Sequence, residues 1–297
     1  MTEEPLQFGE GGRLFGILTL PIAPPHTQHS LPVFVFLSAG LLHRVGPARL
    51  HVRLARALAQ MGFSSLRVDL AGVGDSLQRP GLTNQQSVAA DYAEIVTVLE
   101  SRLGRVSMVL GGLCAGADNA IRLTATDRRV VGMLLLDPVC FSNEGLNTRA
   151  LLARHVDPRR YIAWVRRRLN AAAIPLRERW KRVDGLTLRD VPTVEQLRAA
   201  FEVIRERDGR VLSVFTQHAF HGYYDRFGQL ERAVAVENYA RFCTELFWPD
   251  VEHTYMLDVH RRRLIEEVTR WAAGFLRPQL DAVGNERTEH DVRSWPA

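Results

Sequence analysis

Cysteine is scarce in this chain. Cys114, Cys140 and Cys243 are the only three in 297 residues, and none lies in a CxxC or Cys/His metal spacing. An odd, widely spaced set excludes a disulfide framework and gives no reason to expect a zinc site. Lysine is scarcer still: Lys181 is the only one, so the net charge of +5 is almost wholly arginine and does not by itself point to nucleic acid. No run of eighteen apolar residues occurs, which excludes an ordinary membrane-spanning helix. Residues 1–8 carry Glu3 and Glu4 and lack the apolar stretch of a secretion signal, so a cytoplasmic protein with no membrane partner is expected. The glycine-rich stretch Ala71-Gly-Val-Gly-Asp-Ser76 lacks both a third glycine and a Gly-Lys-Ser ending. It reads as a tight turn rather than a phosphate loop, and no cofactor is indicated.

What is present suits a large packed core, with 46% hydrophobic and 24% charged residues. Residues 6–8 and 14–21 form two short strands around a glycine-rich turn. The stretches 32–37 and 130–136 are apolar on both faces, as buried parallel strands are, and 65–70, the apolar run from Val106 and 211–215 read as further strands. Helical spacing over 50–61 and 87–103 places crossover helices between them. Strands alternating with helices imply a mostly parallel sheet covered on both faces. Between the strands at 136 and 211 lie some seventy residues, too many for a loop, so 139–210 is expected to be an inserted helical cap. It contains helical text at 194–206. Residues 1–138 and 211–276 make the core, and 277–297 a loosely held tail. Residues 229–247 read as one helix, 250–253 as the approach to or edge of a short strand, and 259–275 as the closing helix.

The chemistry centres on Gly112-Leu-Cys-Ala-Gly116, where an apolar strand turns sharply into a helix. Glycines flank Cys114 because a Cβ at those places would meet neighbouring backbone, as in a nucleophile elbow with sulfur in place of oxygen. A thiol at a helix N-terminus sits where the dipole favours a thiolate. An acyl-transfer site also needs a base, an acid to orient it and backbone donors for the oxyanion. His253, just after the last strand region, is the candidate base. His218 and His221 read as cleft neighbours, and His260 as one position on a solvated helix face with Arg261 to Arg263. Asp137, ending the strand that follows the elbow helix, is favoured as the acid over Asp225. The N–H groups of Ala115 and Leu41 are the candidate oxyanion donors. His43, Trp164, Tyr223 and Tyr224 are candidate substrate contacts, and Asp118 reads as a structural buried carboxylate.

With these residues in view, the sequence resembles the α/β-hydrolase superfamily, and within it the exosortase A system-associated hydrolase 1 group. The likeness is carried by residues 39–46 (Ala-Gly-Leu-Leu-His-Arg-Val-Gly), 66–76 (Leu-Arg-Val-Asp-Leu-Ala-Gly-Val-Gly-Asp-Ser), 112–116 and 252–255 (Glu-His-Thr-Tyr). It implies an eight-stranded hydrolase sheet, a helical cap over the cleft and a Cys114–His253 pair. The group carries an Asp after the strand at 211–215; here no carboxylate follows until Asp225.

The preferred reading is a cysteine-dependent acyl hydrolase or acyltransferase acting on an ester or thioester through an acyl-Cys114 intermediate. Arginines between Arg149 and Arg182 offer a docking face for an acidic acyl carrier protein or for coenzyme A phosphates, and equally a plain solvated face. The alternative is a non-catalytic hydrolase-fold protein that binds a small molecule or partner. The oligomeric state, monomer or homodimer, stays open.

Overall fold

The computed structural model describes residues 1–22, 31–139, 190–220 and 228–276. Eight strands form one sheet: β1 (Thr2–Phe8), β2 (Leu14–Leu20), β3 (Val33–Leu37), β4 (Ser65–Asp69), β5 (Met108–Leu113), β6 (Val130–Leu136), β7 (Arg210–Thr216) and β8 (Cys243–Trp248). Their order is β1-β2-β4-β3-β5-β6-β7-β8. The β1–β2 and β2–β4 pairs are antiparallel and every pair from β4 to β8 is parallel.

Helices α1 (Leu50–Gln60) and α5 (Asp258–Ala272) cover one face; α2 (Asn84–Leu103), α3 (Ala115–Thr124) and α4 (Val194–Glu206) contribute to the core on the other. Strands β3, β5 and β6 are apolar on both sides because both faces are covered, whereas β4 buries Ser65, Arg67 and Asp69 on one of its faces. Among the described residues no helix is long and apolar enough to cross a membrane.

Local chemistry sets the element ends. Thr83 starts α2 three residues before the expected position. Its hydroxyl accepts the Gln86 N–H at 3.3 Å and its own N–H donates to Gln86 Oε1 at 2.9 Å, a reciprocal cap that satisfies two otherwise unpaired donors. Thr193 and Gln196 repeat the device at the start of α4.

Three expectations need correction. Residues 229–247 are not one helix: Gln229–Val234 and Tyr239–Phe242 are short helices separated by Ala235 and Asn238 in left-handed backbone, and β8 follows. The last strand is therefore Cys243–Trp248, and 250–253 is the turn beyond it. Pairing with β7 from Cys243 to Trp248 outweighs the helical spacing. Secondly, α4 was expected in the inserted layer, yet it packs on α3 and β6 with Leu197, Ala200, Phe201 and Ile204 fully buried. It is the crossover helix between β6 and β7, so it belongs to the core rather than to a cap ending at 210. Thirdly, Arg261 is buried rather than solvated and donates to the carbonyls of Tyr255 at 2.7 Å and Met256 at 2.6 Å. The rest of the expected cap and the tail lie outside the described residues.

Candidate active site

In a parallel sheet, ligands meet the strands' C-terminal ends where the strand order reverses. Here that point lies between β3 and β5, where Leu37 pairs with Gly112. The loop after β3 and the turn after β5 therefore emerge side by side.

Cys114 occupies that second turn with φ 55° and ψ −116°, a conformation that costs a non-glycine residue about 1–3 kcal/mol. The turn is held because the Cys114 N–H donates to the Leu136 carbonyl at 2.8 Å and its own carbonyl accepts the Asp118 N–H at 3.0 Å. The flanking glycines allow the close approach: a Cβ on Gly116 would stand 2.7 Å from the Leu37 carbonyl oxygen, and one on Gly112 2.8 Å from the same atom. Asp118 is fully buried and accepts the Val139 N–H at 2.7 Å, tying α3 to the chain beyond β6.

His253 lies in the turn between β8 and α5. Its Nδ1 is 2.6 Å from Asp137 Oδ2, and Cys114 lies close enough to influence its charge. Burial alone would lower the imidazole's pKa. The hydrogen bond to the Asp137 carboxylate and the influence of neighbouring Cys114 outweigh it and raise the pKa to about 9. Asp137 is fully buried at the end of β6, on left-handed backbone with φ 46°. It accepts the Thr216 N–H on Oδ1 at 2.7 Å and the Thr216 hydroxyl on Oδ2 at 2.6 Å. Three donors thus face a carboxylate that would otherwise be costly to bury.

Asp137 and His253 are thus hydrogen-bonded to each other, with Cys114 close enough to act on the imidazole. His218, two residues beyond β7, packs on His253 with ring centroids 4.3 Å apart and the planes tilted by 34°. Asp225, Trp164, Tyr223, Tyr224 and His221 lie outside the described residues, as does the arginine-rich stretch.

The β3 loop carries Leu41 and His43. A turn closed by the Leu42 N–H on the Ala39 carbonyl at 3.0 Å shapes it, with Gly40 at φ 56°. Ala115 opens α3, where a helix's own ladder leaves the first N–H groups without partners. Gly40 and Ala115 line one cleft. His43 is exposed, and its Nδ1 accepts the Val45 N–H at 3.3 Å, a bond within its own loop.

Two supporting features were missed from sequence. Thr216 orients Asp137, and nothing in a threonine at a strand end signals a partner 79 residues away. Arg44 anchors the β3 loop: its N–H donates to Asp69 Oδ1 at 2.5 Å and its guanidinium bonds Asp69 Oδ2 and lies 2.7 Å from Asp75. Both ends of this anchor stood in the motifs at 39–46 and 66–76, but their contact did not. Among the described residues no group of three or more His, Cys, Asp or Glu side chains could hold a metal ion.

The sequence matches no protein-family model and no curated protein. Solved structures do share the architecture. A dienelactone hydrolase from Anabaena variabilis aligns with TM-score 0.54 and 12% identity over 93% of this chain and 99% of its own. An esterase from Pyrococcus furiosus aligns with TM-score 0.55 and 12% identity over 93% and 92%. A proline iminopeptidase from Mycobacterium smegmatis gives TM-score 0.55 and 14% identity over 92% and 98%. The chain has the α/β-hydrolase fold.

Proposed function

We propose that this protein is a cysteine-dependent acyl hydrolase or acyltransferase acting on esters or thioesters. The observation that carries the reading is the 2.6 Å bond between His253 and buried Asp137, beside Cys114 on a strained strand-to-helix turn. The hydrolase and esterase names among proteins of the same fold are consistent with it.

In the proposed cycle Cys114 gives its proton to His253, and the sulfur attacks the substrate carbonyl carbon. Asp137 holds the imidazole so that Nδ1 faces the carboxylate, leaving Nε2 for the reaction, and stabilises the imidazolium. The N–H groups of Ala115 and Leu41 donate to the developing oxyanion. Collapse of the tetrahedral intermediate breaks the bond to the leaving alcohol or thiol, which takes the proton from His253. Water or an acceptor then attacks acyl-Cys114, losing its proton to His253, and the departing sulfur is reprotonated.

Thioesters are the favoured substrates, because acyl-Cys114 is itself a thioester and its formation exchanges like bonds. Coenzyme A or an acidic acyl carrier protein would meet the arginine-rich sequence between 149 and 182. The non-catalytic alternative rested on the missing acid after β7, and the Asp137–His253 bond supplies a carboxylate in its place. The test is turnover of acyl thioesters and p-nitrophenyl esters by the intact protein and by Cys114→Ala. Turnover that vanishes in the variant supports the proposal; no turnover of either class by the intact protein, or full activity without Cys114, overturns it.

A further inference from the structure

The loop that follows β3 has little apolar packing to place it. Leu41 and Leu42 are 62% and 43% exposed, so neither anchors the loop to the core. Its root is fixed against the elbow, where a Cβ on Gly116 would stand 2.7 Å from the Leu37 carbonyl oxygen and 3.1 Å from that of Ser38. Ser38 Oγ also accepts the Leu70 N–H at 3.3 Å. Beyond that root, the Leu42 N–H turns back on Ala39 and the Gly46 N–H on His43, bonds that shape the loop without placing it. Among the described residues, every hydrogen bond that leaves the loop between Ala39 and Arg44 is made by Arg44.

The partner of Arg44 is Asp69, fully buried at the end of β4. Its Oδ1 accepts the Arg44 N–H at 2.5 Å, and its Oδ2 bonds the Arg44 guanidinium and accepts the Asp75 N–H at 3.1 Å. Gly74, at φ 54°, lets the loop after β4 wrap this carboxylate, since a Cβ there would stand 2.3 Å from Oδ2. The guanidinium also lies 4.4 Å from the centre of the Phe15 ring. One carboxylate thus grips both the main chain and the side chain of a single residue. Desolvation offsets much of the attraction in a buried ion pair, so stability alone is a weak account of this one. What it fixes is the position of the loop three residues after Leu41. The Leu41 N–H makes no hydrogen bond among the described residues, and Gly40 beside it lines one cleft with Ala115, the residue after the nucleophile.

We infer that Arg44, acting through Asp69, is the positioning residue of the oxyanion site: it holds the β3 loop so that the Leu41 N–H faces the carbonyl oxygen of an acyl group attacked by Cys114. The inference rests on the acyl-transfer reading above and adds to it the groups that set one of its two donors. Arg44 itself touches no reacting atom. Such a donor works only where it is aimed at the developing charge before reaction, so a displaced loop costs rate even when the donor is still present.

Two reactions of Cys114 separate this role from general support of the fold. Turnover of the acetyl thioester of N-acetylcysteamine passes through an oxyanion; alkylation by iodoacetamide does not, because sulfur displaces iodide at a saturated carbon. The variants are Arg44→Met/Asp69→Asn, which removes both charges and so leaves neither buried alone, and Arg44→Lys, which keeps a cation for Asp69 on a differently shaped head. The expected result is a fall in kcat/KM of at least about tenfold in the double variant and a smaller fall in Arg44→Lys, with alkylation of Cys114 within about twofold of the intact protein in both. Thioester turnover within about twofold of the intact protein in the double variant overturns the inference while leaving acyl transfer intact. If that variant does not fold, Arg44→Lys decides by the same criterion. Alkylation that falls in step with turnover also overturns it, because Arg44 would then support the elbow as a whole. No thioester turnover by the intact protein, with no acyl group on Cys114, contradicts the acyl-transfer reading and the inference together.

Discussion

Asp137 and His253 stand 116 residues apart in the chain and share a hydrogen bond of 2.6 Å, made beside the two bonds that Thr216 donates to the same carboxylate. Asp137 follows β6, the neighbour of the elbow's own strand, and β7 contributes the threonine that fixes it.

Replacing Asp137 by Asn should lower kcat by about 10²–10⁴, because the amide favours the wrong imidazole tautomer. Asp225→Asn should have a much smaller effect. Steady-state rates on a thioester decide between them, and the opposite ranking would move the acid to Asp225.

Because Thr216 holds Asp137 through both its N–H and its hydroxyl, Thr216→Val keeps the first bond and removes the second. The variant should fold and lose activity by about tenfold, in line with the 1.4 kcal/mol that corresponds to one such bond. Unchanged kcat would show that the hydroxyl plays no part in orienting the acid.

His253 has its pKa raised from 6.5 to about 9, so its proton is bound more tightly in the folded protein. The stability this proton contributes is fully present below pH 6.5 and lost as pH rises through about 9. In the proposed cycle the same proton goes to the leaving group, so kcat/KM for an alkyl ester should fall as pH rises past about 9. A pH–rate profile flat to pH 10 would contradict this.

His51 shows the reverse sign. It is fully buried against Phe36, neither ring nitrogen has a hydrogen-bond partner, and burial together with Arg67 lowers its pKa to about 4. The folded state refuses a proton that the unfolded chain accepts, so stability is held above pH 6.5 and falls between 6.5 and 4. The loss by pH 4 is on the order of 3 kcal/mol. Urea unfolding at pH 7 and pH 4.5 should show it, and His51→Leu should flatten the dependence.

At the elbow, Gly116→Ala would press a Cβ against the Leu37 and Ser38 carbonyl oxygens, at 2.7 and 3.1 Å. Backbone cannot turn aside as a side chain can, so a loss of about 1–3 kcal/mol is expected. Thermal unfolding measures it, and an unchanged midpoint would mean that the turn has slack.

The sheet and the elbow were legible in the sequence because local rules write them: apolar runs for buried strands, and small residues where backbones touch. Cys114, His253 and Asp137 were singled out by their places at or after strand ends, and the structure bonds Asp137 to His253. β8 was misread because Gln229 to Phe247 carries helical spacing, and only pairing with β7 makes 243–248 a strand. Thr216, Arg44 and Arg261 escaped because their value lies in partners distant in sequence or in backbone carbonyls, and neither leaves a mark on residue type. Arg261 in particular sits in a row of three arginines that reads as solvated, while its guanidinium holds the turn after His253.

The central claim is that Cys114 carries the acyl group. Rapid acid quench of the protein during turnover of an acyl thioester, followed by mass spectrometry of its peptides, tests it directly. The account predicts the mass of one acyl group on the peptide containing Cys114 and none on Cys140 or Cys243, with the adduct absent in Cys114→Ala. Steady turnover with unmodified Cys114 at every quench time, or an adduct on another residue that survives the Cys114→Ala change, would contradict it.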